Sequence, residues 1–199
     1  MILVIESATV ACSAALIDGA DLIGERHEIV GRGHAERLVP MIEELLEGRR
    51  PSAILVDCGP GSFTGIRVGL AAAHGLAIGW GIPLAGFSST AIIAAAQDET
   101  EIGVALLAGH GEIFVQNYAG DPLHSTDDLR SLPPPAAAEA IRTPKVYGSG
   151  AEALVTARGW GEAVLAHPRA ADALRLPPGL RDLPPRPIYG RAPDARPPA

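Results

Sequence analysis

The chain has 199 residues, enough for one full domain or two small lobes with cores of their own, and 47% are apolar against 20% charged. Its formal net charge of −7 excludes tight nucleic-acid binding by bulk attraction, so an RNA substrate would need a partner to supply basic surface. No apolar run reaches the roughly 18 residues of a membrane-spanning helix without polar interruption.

The opening MILVIESATVACSAAL has no basic start and carries Glu6 inside its apolar run, so it reads as strand and not as a targeting segment. MILVIES and ACSAALID are strands, Asp18-Gly19 is a tight turn, and DLIGERHEI returns, which predicts a three-strand meander. GHAERLVPMIEELLEG predicts a helix whose inward stripe is Ala35, Leu38, Ile42, Leu45 and Leu46, with Gly48 as its stop. SAILVDC has the continuous apolar character of a central parallel strand. A glycine-rich turn leads into a helix from about Phe63 to Trp80, IPLAGFS is a further strand, and Ser88 or Ser89 caps a helix over TAIIAAAQD. The order is βββαβαβα.

EIGVALLAG and EIFVQNYAG form a hairpin around Gly109-His110-Gly111 and open a second lobe that repeats the first in reduced form. DPLHSTDDLRSLPPPAAAEAIRTP reads as irregular, KVYGSG as a strand and AEALVTARG as a helix. Beyond Pro177 the chain is dense in Pro and Arg and is expected to bury little, as an extended, partly disordered arm. The expected divisions are residues 1–99, 100–176 and 177–199.

Strand, glycine turn and helix is how phosphate sites are built, so Gly59, Gly61, Ser62, Thr64 and Gly65 are a candidate phosphate loop, structural or vestigial. A P-loop needs a lysine that is absent here, and a dinucleotide fingerprint places its last glycine on Thr64. Two readings stand: weak anion affinity at a helix N-terminus, or glycines that let strand and helix approach closely, the second being preferred.

The six histidines show no HxxH or HxxxH pair, and His34-Ala35-Glu36 mimics a deaminase HxE without its PCxxC partner, so no metal is expected. Ser62 lacks the GxSxG frame, and Cys58 has no evident base. Cys12 and Cys58 form no CxxC and read as small buried hydrophobes in a reducing cytosol. Glu6, at the end of the first strand, either orients a metal or water or bonds backbone amides at a turn. With no second acid at an evident position, the turn role is preferred, and no catalytic residue is assigned.

The helix after the turn is apolar or small on two faces: Ile66, Gly69, Ala73, Leu76, Ala77 and Trp80 on one, Arg67, Leu70, Ala71, His74 and Ile78 on the other. The preceding helix sets His34, Arg37, Met41 and Glu44 away from its predicted stripe. These rows nominate His34, Arg37, Met41, Leu45, Arg67, Leu70, Ala71, His74 and Ile78 as a partner interface. The competing reading sandwiches both helices inside one domain.

GPGSFTGIRVGL closely resembles the signature of the bacterial TsaB (YeaZ) family, and IESATVACSAAL, HAERLVPMIEELL, GEIFVQNY and the late PIYGR agree with it in order and spacing. The resemblance is dense over residues 1–119 and thin from Asp121 onward. It implies an α/β fold of the actin/sugar-kinase/Hsp70 (ASKHA) type, with two βββαβα lobes. It also implies paralogy to TsaD, a transferase that holds a metal with two histidines; by position Ser89 and Ile93 stand there in this chain. A non-catalytic cytoplasmic subunit without a cofactor of its own is therefore expected. The resemblance implies docking on TsaD or on a second copy through the first two helices, TsaE as a further partner, and tRNA met only through the complex. ATP and metal would belong to the partner subunits, and the product is threonylcarbamoyl on N6 of the tRNA adenosine next to the anticodon. The chain departs from the family at Glu6, where Asp is usual, and at Ala108-Gly109-His110, where Asp-Ala-Arg is frequent; both changes argue against nucleotide handling. Against this stand an independent ATP-binding phosphotransferase, a glycoprotease-like hydrolase, and a homodimeric scaffold.

Overall fold

The computed structural model describes residues 1–190. β1 (Ile2–Glu6), β2 (Ala11–Asp18) and β3 (Asp21–Ile29) form the antiparallel meander. After α1 (His34–Leu46), β4 (Ala53–Asp57) returns parallel to β1. α2 (Phe63–Trp80) then leads to β5 (Leu84–Phe87), parallel to β4, and α3 (Ser89–Ala95) closes the first unit. The sheet order is β3-β2-β1-β4-β5.

The second sheet repeats this plan. β6 (Glu101–Gly109) and β7 (Glu112–Ala119) are its hairpin, followed by β8 (His124–Ser125), β9 (Arg130–Leu132) and α4 (Pro134–Ala140). β10 (Lys145–Tyr147), α5 (Ala151–Arg158) and β11 (Glu162–Val164) complete it. Its order is β11-β10-β6-β7-β8, with β9 also on β7, so first, second, fourth and fifth strands hold the same places in both sheets. The reduction is in length: the third strand is split into β8 and β9, and β10 and β11 have three residues each. The stretch expected to be irregular thus contains two short strands and a helix, because Pro134 and Pro135 occupy the helix start, where no N–H is needed.

Alternation along β1 explains the layering. Leu3 and Ile5 point into a core with Leu38, Met41, Ile42, Ile66 and Leu70 of α1 and α2. Val4 points the other way, into a core with Phe87, Ile92, Val104, Leu106 and Phe114 that joins the two sheets through α3. A third core, with Ile113, Val115, Ile141 and Leu154, seats α4 and α5 on the far face of the second sheet. Both lobes therefore show the ASKHA plan.

Two expectations about the C-terminal third are corrected. The 3-10 helix Ala170–Arg175, assigned by sequence to the second lobe, packs on the first: Ala170 N donates to Ser13 Oγ at 2.8 Å, and Arg175 donates to the carbonyls of Ala96 and Gln97. Residues 177–190 are not a free arm. Leu183 and Gly86 exchange two backbone hydrogen bonds, of 2.7 and 3.0 Å, and Ile188 N donates to Cys58 O at 2.7 Å. Prolines lack the N–H that would otherwise need a partner, and Leu180 and Ile188 supply apolar anchors. Residues 191–199, including the last residue of PIYGR and the end of the expected arm, lie outside the described residues.

Candidate functional site

The parallel register pairs Ile5 with Val56, which sets Glu6 beside Asp57 at the C-terminal ends of the two central strands. In parallel α/β sheets this is the edge where sites form. Both carboxyls are buried, at 0% and 2% exposure. Asp57 Oδ1 accepts the Gly59 N–H at 2.7 Å, and Ser89 Oγ lies 2.9 and 2.8 Å from the two Asp57 oxygens. Glu6 Oε1 accepts the Ala8 N–H at 2.9 Å, while Glu6 Oε2 is buried with no hydrogen-bond partner.

Burial, and then the charge of Asp57, raises the Glu6 pKa well above the usual carboxylate range. Burial pushes Asp57 up to about 7 against the pull of its bonds to Gly59 and Ser89. Asp57 accepts from Gly59 and from Ser89, whereas one Glu6 oxygen has no partner, so Asp57 is the member that ionises first and Glu6 is the one that keeps its proton. The second acid that sequence reasoning found missing is therefore Asp57. Its signal was present, since Asp57 ends the central strand that a parallel sheet places next to β1.

Ser89, standing where the resemblance places one histidine of a metal pair, ties α3 to Asp57, and Ile93 is buried in the inter-sheet core. Among the described residues, no group of three or more His, Cys, Asp or Glu side chains is placed to hold a metal ion. Burial pushes the Cys12 and Cys58 thiols up to about 12, which keeps both protonated at neutral pH.

The glycine turn closes over this pair. A Cβ on Gly61 would lie 2.0 Å from Ala8 O, and one on Gly65 would lie 2.1 Å from Ser7 O, closer than any side chain tolerates. The β1–β2 turn therefore presses directly on the first turn of α2. Ser62 N donates to Ala8 O at 2.6 Å, Ser7 Oγ donates to Gly65 O at 2.9 Å, and Ser62 Oγ caps α2 through Gly65 N at 3.3 Å. The chain's own groups thus take the N–H donors of Gly59, Ser62 and Gly65; Thr64 is exposed beside them. Backbone of Ser7 and Ala8 fills the space directly against Gly61 and Gly65.

Four of the nine nominated interface residues sit inside the lobe instead. Met41, Leu45 and Leu70 are core residues, and buried His34 holds Ala11 O through Nε2 at 3.0 Å. The inward stripe of α1 is His34, Leu38, Met41, Ile42, Leu45 and Leu46, while Ala35 in the first turn is exposed. A large methionine removes more apolar area from water than an alanine, so the helix turns Met41 inward. Arg37 is half-buried and ion-paired with Glu28 at 2.5 Å and Glu44 at 2.8 Å. Exposed on α1 are Glu36, Val39, Pro40 and Glu43, which sequence reading missed.

On α2, Arg67, Ala71, His74 and Ile78 are exposed, Ile78 at 81%. Phe63, 56% exposed, joins them at the helix start. Along one side runs the segment after Leu183. His74 Nε2 meets Pro185 O at 3.1 Å, Tyr189 stacks on Phe63 with ring centroids 5.8 Å apart, and Arg67 donates to Tyr189 Oη at 3.3 Å. The guanidinium of Arg67 also lies 3.6 Å over the Phe63 ring.

A family model described as "TsaD: tRNA N6-adenosine threonylcarbamoyltransferase" matches residues 24–131. The tRNA threonylcarbamoyladenosine biosynthesis protein TsaB of Escherichia coli is 34% identical over 129 residues, 60% of this chain and 55% of that protein. The chain thus spans about half the length of that relative. An uncharacterized protein of Mycobacterium tuberculosis is 31% identical over 213 residues, 98% of this chain and 94% of its own. Among solved structures, YeaZ from Pseudomonas aeruginosa superposes with a TM-score of 0.75 at 27% identity, covering 88% of this chain and 89% of that one. A crystal structure titled as an uncharacterized protein with similarity to peptidase YEAZ, also from Pseudomonas aeruginosa, reaches 0.82 at 25% identity, covering 96% and 99%.

Proposed function

The chain belongs to the TsaB (YeaZ) family, and from that premise we propose that it is a non-catalytic docking and activating subunit in threonylcarbamoyladenosine synthesis on tRNA. It binds a TsaD-type transferase and holds it in the arrangement that modifies N6 of the adenosine next to the anticodon. A TsaE-type ATPase joins the assembly, and alone the chain pairs with a second copy. The chain meets tRNA only through the complex, takes no cofactor of its own, and works in the cytoplasm with ATP and metal in its partners.

The observation that carries this reading is the outer face of α2. Ala71, Gly75 and Gly79 leave the helix backbone open, with nothing within 4 Å of a Cβ added at either glycine, and Ile78 projects at its centre. Small residues around one projecting aliphatic side chain suit close helix–helix packing. Co-purification with the cognate transferase tests it: the wild-type chain retains the transferase at micromolar concentration, and Ala71→Arg loses it while its circular dichroism is unchanged. Retention of the transferase by the variant, or no complex with the wild type, overturns the reading.

One observation favours a second reading, a phosphotransferase or hydrolase: the carboxylate pair at the strand ends. Its burial and the filled glycine turn argue against substrate access. Calorimetry of the isolated chain with ATP and Mg²⁺ separates the two, with no binding heat expected; micromolar binding would favour the enzyme.

A further inference from the structure

We propose that residues Leu183–Gly190 are themselves part of the docking face: a proline-stiffened strap that adds Arg186 and Tyr189 to α2, fitting a protein partner with an acidic rim. This rests on the α2 docking reading and extends it to a segment whose composition suggested a loose arm.

The strap is built in. Leu183 is bonded to Gly86 and Ile188 to Cys58 through the backbone, which fixes two points on the first lobe. Gly190 lies against Phe114 of the second, where an added Cβ would come within 2.6 Å of the ring. Between these anchors, Pro184, Pro185 and Pro187 have fixed φ and no N–H to satisfy, so little conformational freedom remains to be lost on binding. α2 meets the strap at three positions spaced along one side: Phe63, Arg67 and His74.

What the strap presents has the composition of a docking surface. Tyr189 is 48% exposed, stacked on Phe63 and bonded by Arg67, and exposed aromatic residues flanked by arginine are the side chains that anchor interfaces. Arg186 is exposed and makes no ion pair among the described residues. With Arg67 it makes this side basic on a chain whose net charge is −7, while the outer row of α1 carries Glu36 and Glu43. A partner apposed to α2 and the strap is therefore complementary when it brings carboxylates around an apolar centre. A second copy presenting the same side would set Arg67 and Arg186 against their own counterparts.

Titration calorimetry of the full chain with the cognate TsaD-type transferase, at 50 and 200 mM salt, tests this with three variants. Ile78→Asp perturbs α2 alone; Arg186→Glu and Tyr189→Ala perturb the strap. Thermal melts check each fold, and Arg186→Glu alters a solvent-facing side chain, so the test survives if Tyr189→Ala does not fold. The expected result is at least tenfold weaker binding for each strap variant, and a smaller loss of affinity with salt for Arg186→Glu than for wild type. If Ile78→Asp abolishes binding while both strap variants bind as wild type, docking on α2 stands and the strap inference falls. If Ile78→Asp also binds as wild type, the docking reading itself falls. Tighter transferase binding by Tyr189→Ala would make the strap a competitor, and altered self-association alone, seen by light scattering, would assign it to contacts between copies; either overturns the proposal.

Discussion

Replacing Glu6 with glutamine should change how stability depends on pH. In the folded chain Glu6 and Asp57 share a buried site, and both hold protons to higher pH than in an unfolded chain. Well below pH 3.8 both states are protonated and the contribution is fully present. As pH rises, the unfolded chain releases its carboxyl protons first, so the folded state binds more protons and loses relative stability until its own groups ionise. Moving Asp57 from 3.8 to about 7 corresponds to a ceiling of about 4 kcal/mol lost over that window. Glu6, raised further by the Asp57 charge, extends the loss to higher pH. Glu6→Gln removes the second part: it keeps the shape, offers Asp57 an amide, and cannot acquire charge. Urea unfolding at constant ionic strength and pH 5, 6, 7 and 8 reads the effect. Wild type should weaken steadily, and the variant should match it near pH 5 and exceed it by about 1–3 kcal/mol at pH 8. His27, whose pKa is lowered by burial, contributes in the opposite sense below about pH 6.5, but it is common to both proteins and cancels in the difference. Parallel curves for wild type and variant would refute the shared-site argument.

The glycines separate packing from surface. Gly61→Ala and Gly65→Ala each force a Cβ to about 2 Å from a carbonyl oxygen and should cost more than about 4 kcal/mol, read as loss of cooperative thermal unfolding. Gly75→Ala, on the open face of the same helix, should stabilise by about 0.5–1 kcal/mol in urea titration. Met41→Ala should cost about 2–5 kcal/mol of monomer stability, because Met41 is a core residue; unchanged unfolding with weakened partner binding would return it to the surface.

The elements were legible because their signals are local. The spacing of Ile66, Gly69, Ala73 and Ala77 marks the buried face of α2, and Asp18-Gly19 and Gly109-His110-Gly111 mark the two hairpins. The carboxylate pair was not read because its members are 51 positions apart in sequence and meet only through strand register. The meander and the following parallel strand were nonetheless both in hand, and two adjacent parallel strands that each end in an acid place those acids side by side. The α1 error has a different origin. Charged neighbours made Met41 look like part of an outward row, yet Arg37 and Glu44 neutralise one another beside β3 while Met41 turns in between them.

The last twenty described residues show where composition misleads. Proline density measures how little a segment needs from its neighbours, since each proline removes a donor and fixes a dihedral. Such a segment is poor at forming sheet and cheap to immobilise. Three apolar side chains, Leu180, Leu183 and Ile188, are enough to lay it across β5 and the start of α2, where it joins the inner face of the glycine turn to the outer face of the helix. The turn that resembles a phosphate cradle is thereby closed from within by Ser7 and Ala8 and bordered from outside by Ile188. This end of the lobe presents to solvent Arg67, His74 and Ile78 of α2 together with Arg186 and Tyr189.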